Sequence, residues 1–171
     1  MTRFGFPVLL LASSLSALAA VSEPPGISDA LHPPADEQAA FMLKATGVQV
    51  YTCKAKDATT YAWAFVAPSA SLAENGTAVG KHYAGPVWES TSDGSSVKGA
   101  LKEKQDGGAG NIPWLRLAGT SSGEGRFAGV TSVLRVATLG GVEPASGCAA
   151  SSVGEEARVP YTADYYFYRK K

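Results

Sequence analysis

From Gly47 onward the chain repeats with a period of two, and this restricts its fold more than any other feature. "GVQVYTC" sets Val48 and Val50 against Gln49, Tyr51 and Cys53, and "TYAWAFV" sets Tyr61, Trp63 and Phe65 against Ala62, Ala64 and Val66. Such alternation marks strands with two distinct faces. The polar "KAKDAT" between the two runs predicts a hairpin. "VKGALKEK" keeps Val97 and Leu101 on one side and turns Lys98, Lys102 and Lys104 to water, the pattern of an edge or one-sided strand. The closing "VPYTADYYFYRKK" alternates Tyr161, Ala163, Tyr165 and Phe167 with Thr162, Asp164, Tyr166 and Tyr168. "IPWLRLAG" and the β-branched "GVTSVLRVATLGG" lie between, set off by glycine and serine turns. With helical periodicity almost absent, the pattern predicts an all-β single domain, either an antiparallel β-sandwich or a partly closed barrel. "EQAAFMLKATG" fits a short helix after Pro34 or a strand with Phe41 and Leu43 on one face; its β-rich context favours the strand.

The N-terminus reads differently. Met1-Thr2-Arg3, a short apolar stretch and Ala17-Leu18-Ala19-Ala20 describe a secretory signal peptide over residues 1–20, and the apolar part is too short to span a bilayer. Residues 21–36 hold two Pro-Pro pairs and no periodicity, and read as an extended linker or a segment lying on the surface, leaving 37–171 as one β domain. The expected location is periplasmic or extracellular. Cleavage would remove Arg3 from the 15 Lys and Arg, which then fall one short of the 15 Asp and Glu. A near-neutral chain offers no electrostatic footprint for nucleic acid or anionic membrane.

Cys53 and Cys148 are the two cysteines. In an exported chain such a pair predicts a disulfide. Neither they nor the separated His32 and His82 show the close spacing of a metal site, and no cofactor motif is present, so metal and cofactor are both expected to be none.

The densest grouping of chemistry-bearing residues is "VGKHYAGPVWESTSDGS", residues 79–95. Gly85-Pro86 and Asp93-Gly94 predict two turns around a short strand, with Trp88 on one face and Val87 and Glu89 on the other. His82 with Glu89 or Asp93 is the best acid-base combination in the chain, since a neighbouring carboxylate orients and charges an imidazole. The structural alternative has His82 bonding a turn carbonyl, Trp88 filling the core and Asp93 setting its turn. No G-x-S-x-G elbow accompanies the serines. Arg135 and Asp164 are charges inside apolar strands, which either face solvent or pair with each other on the inner face; a mutual pair is expected, and its functional counterpart is a polar anchor at the bottom of a pocket. Tyr61, Trp63, Trp88, Trp114, Tyr161, Tyr165, Tyr166 and Tyr168 include candidates for an aromatic binding strip, because Tyr165, Tyr166 and Tyr168 occupy both faces of one strand, and Tyr83 is a further ligand-binding candidate.

In this order "GVQVYTC", "YAWAFVAPSASL", "VGKHYAGPVWE", "IPWLRL", "GVTSVLRVATLGGVEP" and "VPYTADYYFY" resemble the family of small exported bacterial and fungal proteins known as domain of unknown function 3455, over roughly residues 30–169. The resemblance implies an exported protein but no activity and no assigned catalytic residue. Fungal members often carry the label malate dehydrogenase. A nicotinamide dehydrogenase needs G-x-G-x-x-G at the start of a helix in a βαβ unit. Here Gly107, Gly108 and Gly110 lead into the β-like "NIPWLRL", so NAD-dependent malate dehydrogenase activity is not expected.

Together these readings predict an exported binding module for a glycan or a protein partner in the envelope or outside the cell. The alternatives are a small hydrolase or isomerase using His82 with Glu89 or Asp93, and a structural or stress-related envelope protein.

Overall fold

The alternating runs form eight strands: β1 (Glu37–Ala55), β2 (Tyr61–Glu74), β3 (Thr77–Tyr83), β4 (Val87–Ser90), β5 (Ser96–Gln105), β6 (Trp114–Ser122), β7 (Val130–Gly140) and β8 (Glu156–Lys170). This computed structural model describes residues 21–171, so the signal peptide expected over residues 1–20 lies outside the described residues. Each strand pairs antiparallel with the next, and β8 returns to β1 from Glu37↔Lys170 to Thr52↔Glu156, closing a barrel. Of the two architectures expected, the barrel is the one formed, and it closes fully because the 19 residues of β1 reach both neighbours. The ambiguous segment after Asp36 is strand.

Local chemistry sets the bends. Asn75 and Gly76 both have positive φ, 48° and 82°, between β2 and β3, as a type I′ hairpin turn requires. Gly47 lets β1 and β2 cross closely, since a Cβ there would sit 2.2 Å from the Ser69 carbonyl oxygen.

The inward face of β8 carries Tyr161, Ala163, Tyr165 and Phe167, the set that the alternation placed together. Leu43, Leu72, Trp88, Val97, Leu117 and Val133 meet them inside. One end of the barrel is plugged. Phe127, from the β6–β7 loop, packs 5.7 Å from the Phe41 ring and 5.1 Å from the Phe167 ring. The Arg126 and Arg169 guanidiniums lie 5.8 and 5.6 Å from the Phe41 ring. Outward faces carry ion pairs such as Lys44–Asp164 and Lys81–Glu89. Apolar inside and charged outside is the reverse of the transmembrane barrel pattern, and no helix among the described residues is long and apolar enough to cross a membrane.

Residues 21–36 lie on the outer surface of the barrel rather than hanging free. Leu31 is fully buried, Ile27 packs against Leu134, Val136 and Tyr168, and Glu23 accepts a 2.8 Å hydrogen bond from the Tyr168 hydroxyl. Gln105 accepts from the Ser28 backbone N–H at 2.7 Å and donates to the Gly26 carbonyl at 3.1 Å.

The Cys53–Cys148 disulfide is present and ties the end of β1 to the β7–β8 loop. Its two halves are 95 residues apart, so on the chain-entropy argument its loss costs about 4 to 5 kcal/mol. The double variant Cys53→Ser/Cys148→Ser is expected to keep its far-UV spectrum while its urea midpoint falls by an amount corresponding to several kcal/mol. An unchanged midpoint would show that the bridge constrains only its own loop.

Candidate functional site

The end of the barrel opposite Phe127 is open, for a reason visible in strand lengths. β3 has seven residues and β4 four. The β2–β3 ladder therefore begins only at Ala70↔His82, and the β4–β5 ladder ends at Val87↔Lys98. Tyr61–Ser69 of β2 and Ala100–Gln105 of β5 each rise past the β3–β4 turn with one edge lacking a strand partner. The wall is notched there.

A cavity of about 240 Å³ opens at this notch. Phe65, Val66, Pro68, Leu115 and Leu117 form apolar walls; the fully buried Trp88 and Tyr165 form the inner end. His82 and Arg135 supply polar groups. A second lobe, about 280 Å³ and lined by Gln49, Tyr51, Leu101 and Lys104 among others, shares Phe65, Leu115 and Arg135 with the first. At the rim Phe65, Val66 and Leu101 are 55%, 52% and 58% exposed.

The rim departs from simple alternation at two points. A register shift takes β1 from Val50↔Ala67 directly to Tyr51↔Phe65. Val66 is skipped, and the bulge brings both Phe65 and Val66 to the mouth, although alternation assigned them to opposite faces. Leu101 shares parity with the buried Val97, yet it stands beyond the end of β4, where no wall covers it.

His82 pairs with Trp88 across the β3–β4 turn, so both face inward. Their rings stack at 4.4 Å with 6° between planes, and the edge of Tyr165 meets each. The ring Nδ1 lies 2.8 Å from the Val87 carbonyl. A carbonyl only accepts, so Nδ1 carries the proton and the neutral ring keeps Nε2 bare. Burial, opposed by that carbonyl and reinforced by the positive charge of Arg135, lowers the His82 pKa to about 4.

The two carboxylates expected beside His82 are elsewhere. Glu89 pairs with Lys81 across the turn and lies on the outer face, accepting from the Tyr83 hydroxyl at 2.5 Å and from Lys81 Nζ at 2.9 Å. Asp93 lies at the plugged end. It accepts from the Ser95 N–H and hydroxyl and from the Arg126 N–H, which hold its pKa down to about 2. The acid-base grouping of His82 with Glu89 or Asp93 is therefore not assembled.

Arg135 and Asp164 do not pair either. In the β7–β8 ladder Arg135 opposes Tyr165, and Asp164 opposes Val136. This one-residue offset puts Arg135 inside and Asp164 outside, where it bonds Lys44 at 3.0 Å. Arg135 Nε and Nη2 donate to the Pro113 carbonyl at 3.1 and 2.8 Å. No carboxylate lies within ion-pair distance of its guanidinium among the described residues.

Trp114 and Tyr166 belong to the outer cluster of Leu134, Val136 and Tyr168, beneath Ile27. Tyr165 and Tyr168 are buried, so the closing strand presents no continuous aromatic strip. Of the ligand candidates, His82, Trp88 and Arg135 line the cavity; Tyr83, Trp114, Asp164 and Tyr166 do not. Sequence reasoning missed Phe65, Leu115 and Leu117 as site residues, and it put Tyr165 in an aromatic strip rather than in a cavity. Tyr165 was recoverable, because it shares parity with Phe167 and Tyr161. Among the described residues no group of three or more His, Cys, Asp or Glu could hold a metal ion.

The depressed His82 pKa makes stability depend on pH. Between its folded value near 4 and the unfolded value of 6.5, only the unfolded chain binds the proton. The stability contributed by neutral His82 is thus full above about pH 6.5 and lost as pH falls toward 4, a change of roughly 3 kcal/mol. Urea unfolding of the wild type is expected to weaken across this window, and His82→Gln to lose most of that slope. NMR titration of the imidazole near pH 6.5 in the folded protein would contradict the buried neutral ring.

No curated protein and no solved structure matches the chain. The profile of a protein family described as protein of unknown function (DUF3455) matches residues 34–169. The match runs from the end of the surface segment through seven strands to the penultimate residue of β8, and on that extent the chain belongs to the DUF3455 family.

Proposed function

We propose that this is an exported binding protein that holds a small, largely apolar molecule in the open mouth of its barrel. One observation carries the reading: a cavity of about 240 Å³ with apolar walls lies behind a notch whose rim exposes Phe65 and Val66. Eight-stranded barrels are wide enough to be filled by side chains or to hold one small ligand. Here phenylalanine rings plug one end, while the other keeps a cavity. Exposed apolar side chains at a concave opening are a binding signal, since water would otherwise favour covering them. The disulfide and the expected signal peptide support export to an oxidising compartment.

Competing readings find less support. Catalysis by His82 lacks a facing carboxylate. A glycan would have to use the shallow outer groove of Tyr61 and Trp63 beside Lys56 and Glu143, where the Trp63 indole already donates to the Ser146 carbonyl at 2.9 Å. A protein partner or a purely structural role leaves the cavity unexplained.

A cavity between the roughly 150 Å³ that holds benzene and the volumes of drug-sized sites suits a ligand of about ten non-hydrogen atoms. Naphthalene and 1-octanol are expected to bind one to one, with dissociation constants of about 10 to 1,000 µM. They should shift the amide NMR signals of Phe65, Val66, Trp88 and Leu115. Leu115→Trp, a change at a half-buried wall position, is expected to fill the mouth and abolish binding while the barrel stays folded. Shifts confined to the Trp63 groove, or binding unaffected by Leu115→Trp, would refute the reading. Soluble oligosaccharides serve as the comparison.

A further inference from the structure

We infer that the cavity selects an amphipathic monoanion, its acidic headgroup held by Arg135 and its apolar chain running out along Phe65, Val66 and Leu115. The inference rests on the mouth being a binding site and adds the charge and polarity of the ligand.

Charge in the mouth is one-sided. Arg135 lines both lobes and Lys104 the second; neither lobe has an aspartate or glutamate in its wall. The two hydrogen bonds from Arg135 to the single Pro113 carbonyl use two of its five N–H donors. Beyond Pro113 the guanidinium interacts with the Tyr165 hydroxyl, and no carboxylate meets it among the described residues. Its field reaches inward, where it lowers the cost of ionising Tyr161 and Tyr165 and raises that of protonating His82.

Hydrogen-bonding capacity around Arg135 leans the same way, with the bare Nε2 of His82 an acceptor on a residue that lines the first lobe. Tyr165, Trp88 and Gln49 line the two lobes; the Trp88 indole N–H and the Gln49 amide nitrogen are buried without a hydrogen-bond partner, while the Tyr165 hydroxyl interacts with Arg135 and Tyr161. The Tyr161 hydroxyl is buried in the core and interacts with that of Tyr165. The indole and the amide nitrogen can only donate, and buried polar groups are rarely left unbonded without a reason. A cation with spare donors, in a lining that has two further unbonded N–H groups and no carboxylate, matches an anionic headgroup. A carboxylate takes two parallel N–H bonds from a guanidinium, which gives both strength and orientation. The gradient from this polar group to the exposed Phe65 and Val66 then fixes which end of the ligand enters first.

The test compares three probes of equal chain length, octanoate, 1-octanol and octyltrimethylammonium, by titration calorimetry against wild type, Arg135→Gln and Arg135→Lys at low salt. The expected order on wild type is octanoate tightest and the cation weakest. Arg135→Gln should weaken octanoate about tenfold or more and leave octanol within about twofold, as loss of one charge-assisted contact implies. Arg135→Lys should keep the preference for the anion in weakened form, because it retains the charge without the fork. Octanol and octanoate binding wild type equally would overturn the anion selectivity while leaving the apolar site intact. Failure of all three probes on wild type would overturn the site itself. Because the wild-type comparison decides the first question, a variant that does not fold leaves the test standing. Adding octyl phosphate separates a free carboxylate from a phosphate headgroup: tighter binding of the phosphate would overturn the carboxylate assignment.

Discussion

Closure of the sheet by the pairing of β1 with β8 is the constraint on which the rest depends. An open antiparallel sheet could bury one face against a second sheet, and its strand edges would remain exposed. Pairing over Glu37–Thr52 and Glu156–Lys170 instead turns one face of every strand inward. Eight strands then fix the interior diameter, and the available side chains decide how much of it is filled. Phe41, Phe127 and Phe167 fill one end. At the other, Gly99 lets Trp88 lie against the wall, since a Cβ there would meet the indole Cζ3 at 2.9 Å. Beyond this point the inward residues no longer reach across.

The same closure gives the short strands β3 and β4 their effect. In a sandwich, a four-residue strand would only shorten an edge. In a barrel it removes part of the wall and exposes the interior at that height. Gly85-Pro86, which turns the chain between β3 and β4, also sets the lower lip of the opening. The stretch that concentrates histidine, tyrosine, tryptophan and carboxylates is scaffold on one face and cavity lining on the other: His82 and Trp88 point in, Tyr83 and Glu89 point out.

Much of this was legible in the residues. Parity grouped Tyr161, Ala163, Tyr165 and Phe167, and it set Trp88 apart from Glu89. The polar hexapeptide before Tyr61 marked the β1–β2 hairpin, and the cysteine pair marked the bridge. Closure was not legible, because a strand with two faces alternates alike in a sandwich and a barrel, and the β1–β8 contact joins residues more than a hundred positions apart. Register was the second gap. Arg135 and Asp164 look like partners until the ladder is known to pair Arg135 with Tyr165. The bulge at Val66 gave no warning in composition. Ile27 and Leu31 were the overlooked signal that a proline-rich segment would pack on the barrel.

An arginine facing the interior of a small barrel requires a physical reason. A charge that stabilised the fold alone would be met by a carboxylate or saturated with carbonyls, because an unpaired buried ion is costly. Arg135 has a single carbonyl, that of Pro113, and is only partly buried, so its charge is tolerated through the open mouth. Pro113 lacks an N–H, and its carbonyl anchors the guanidinium side of the β5–β6 loop; the anchor needs a donor but no net charge. Gln49 and Thr138 nearby show that neutral side chains fit this end of the core, with Thr138 bonding the Ile112 carbonyl at 2.6 Å. The positive charge is therefore surplus to the fold, and it sits where an apolar rim, an opening in the wall and unpaired donors converge.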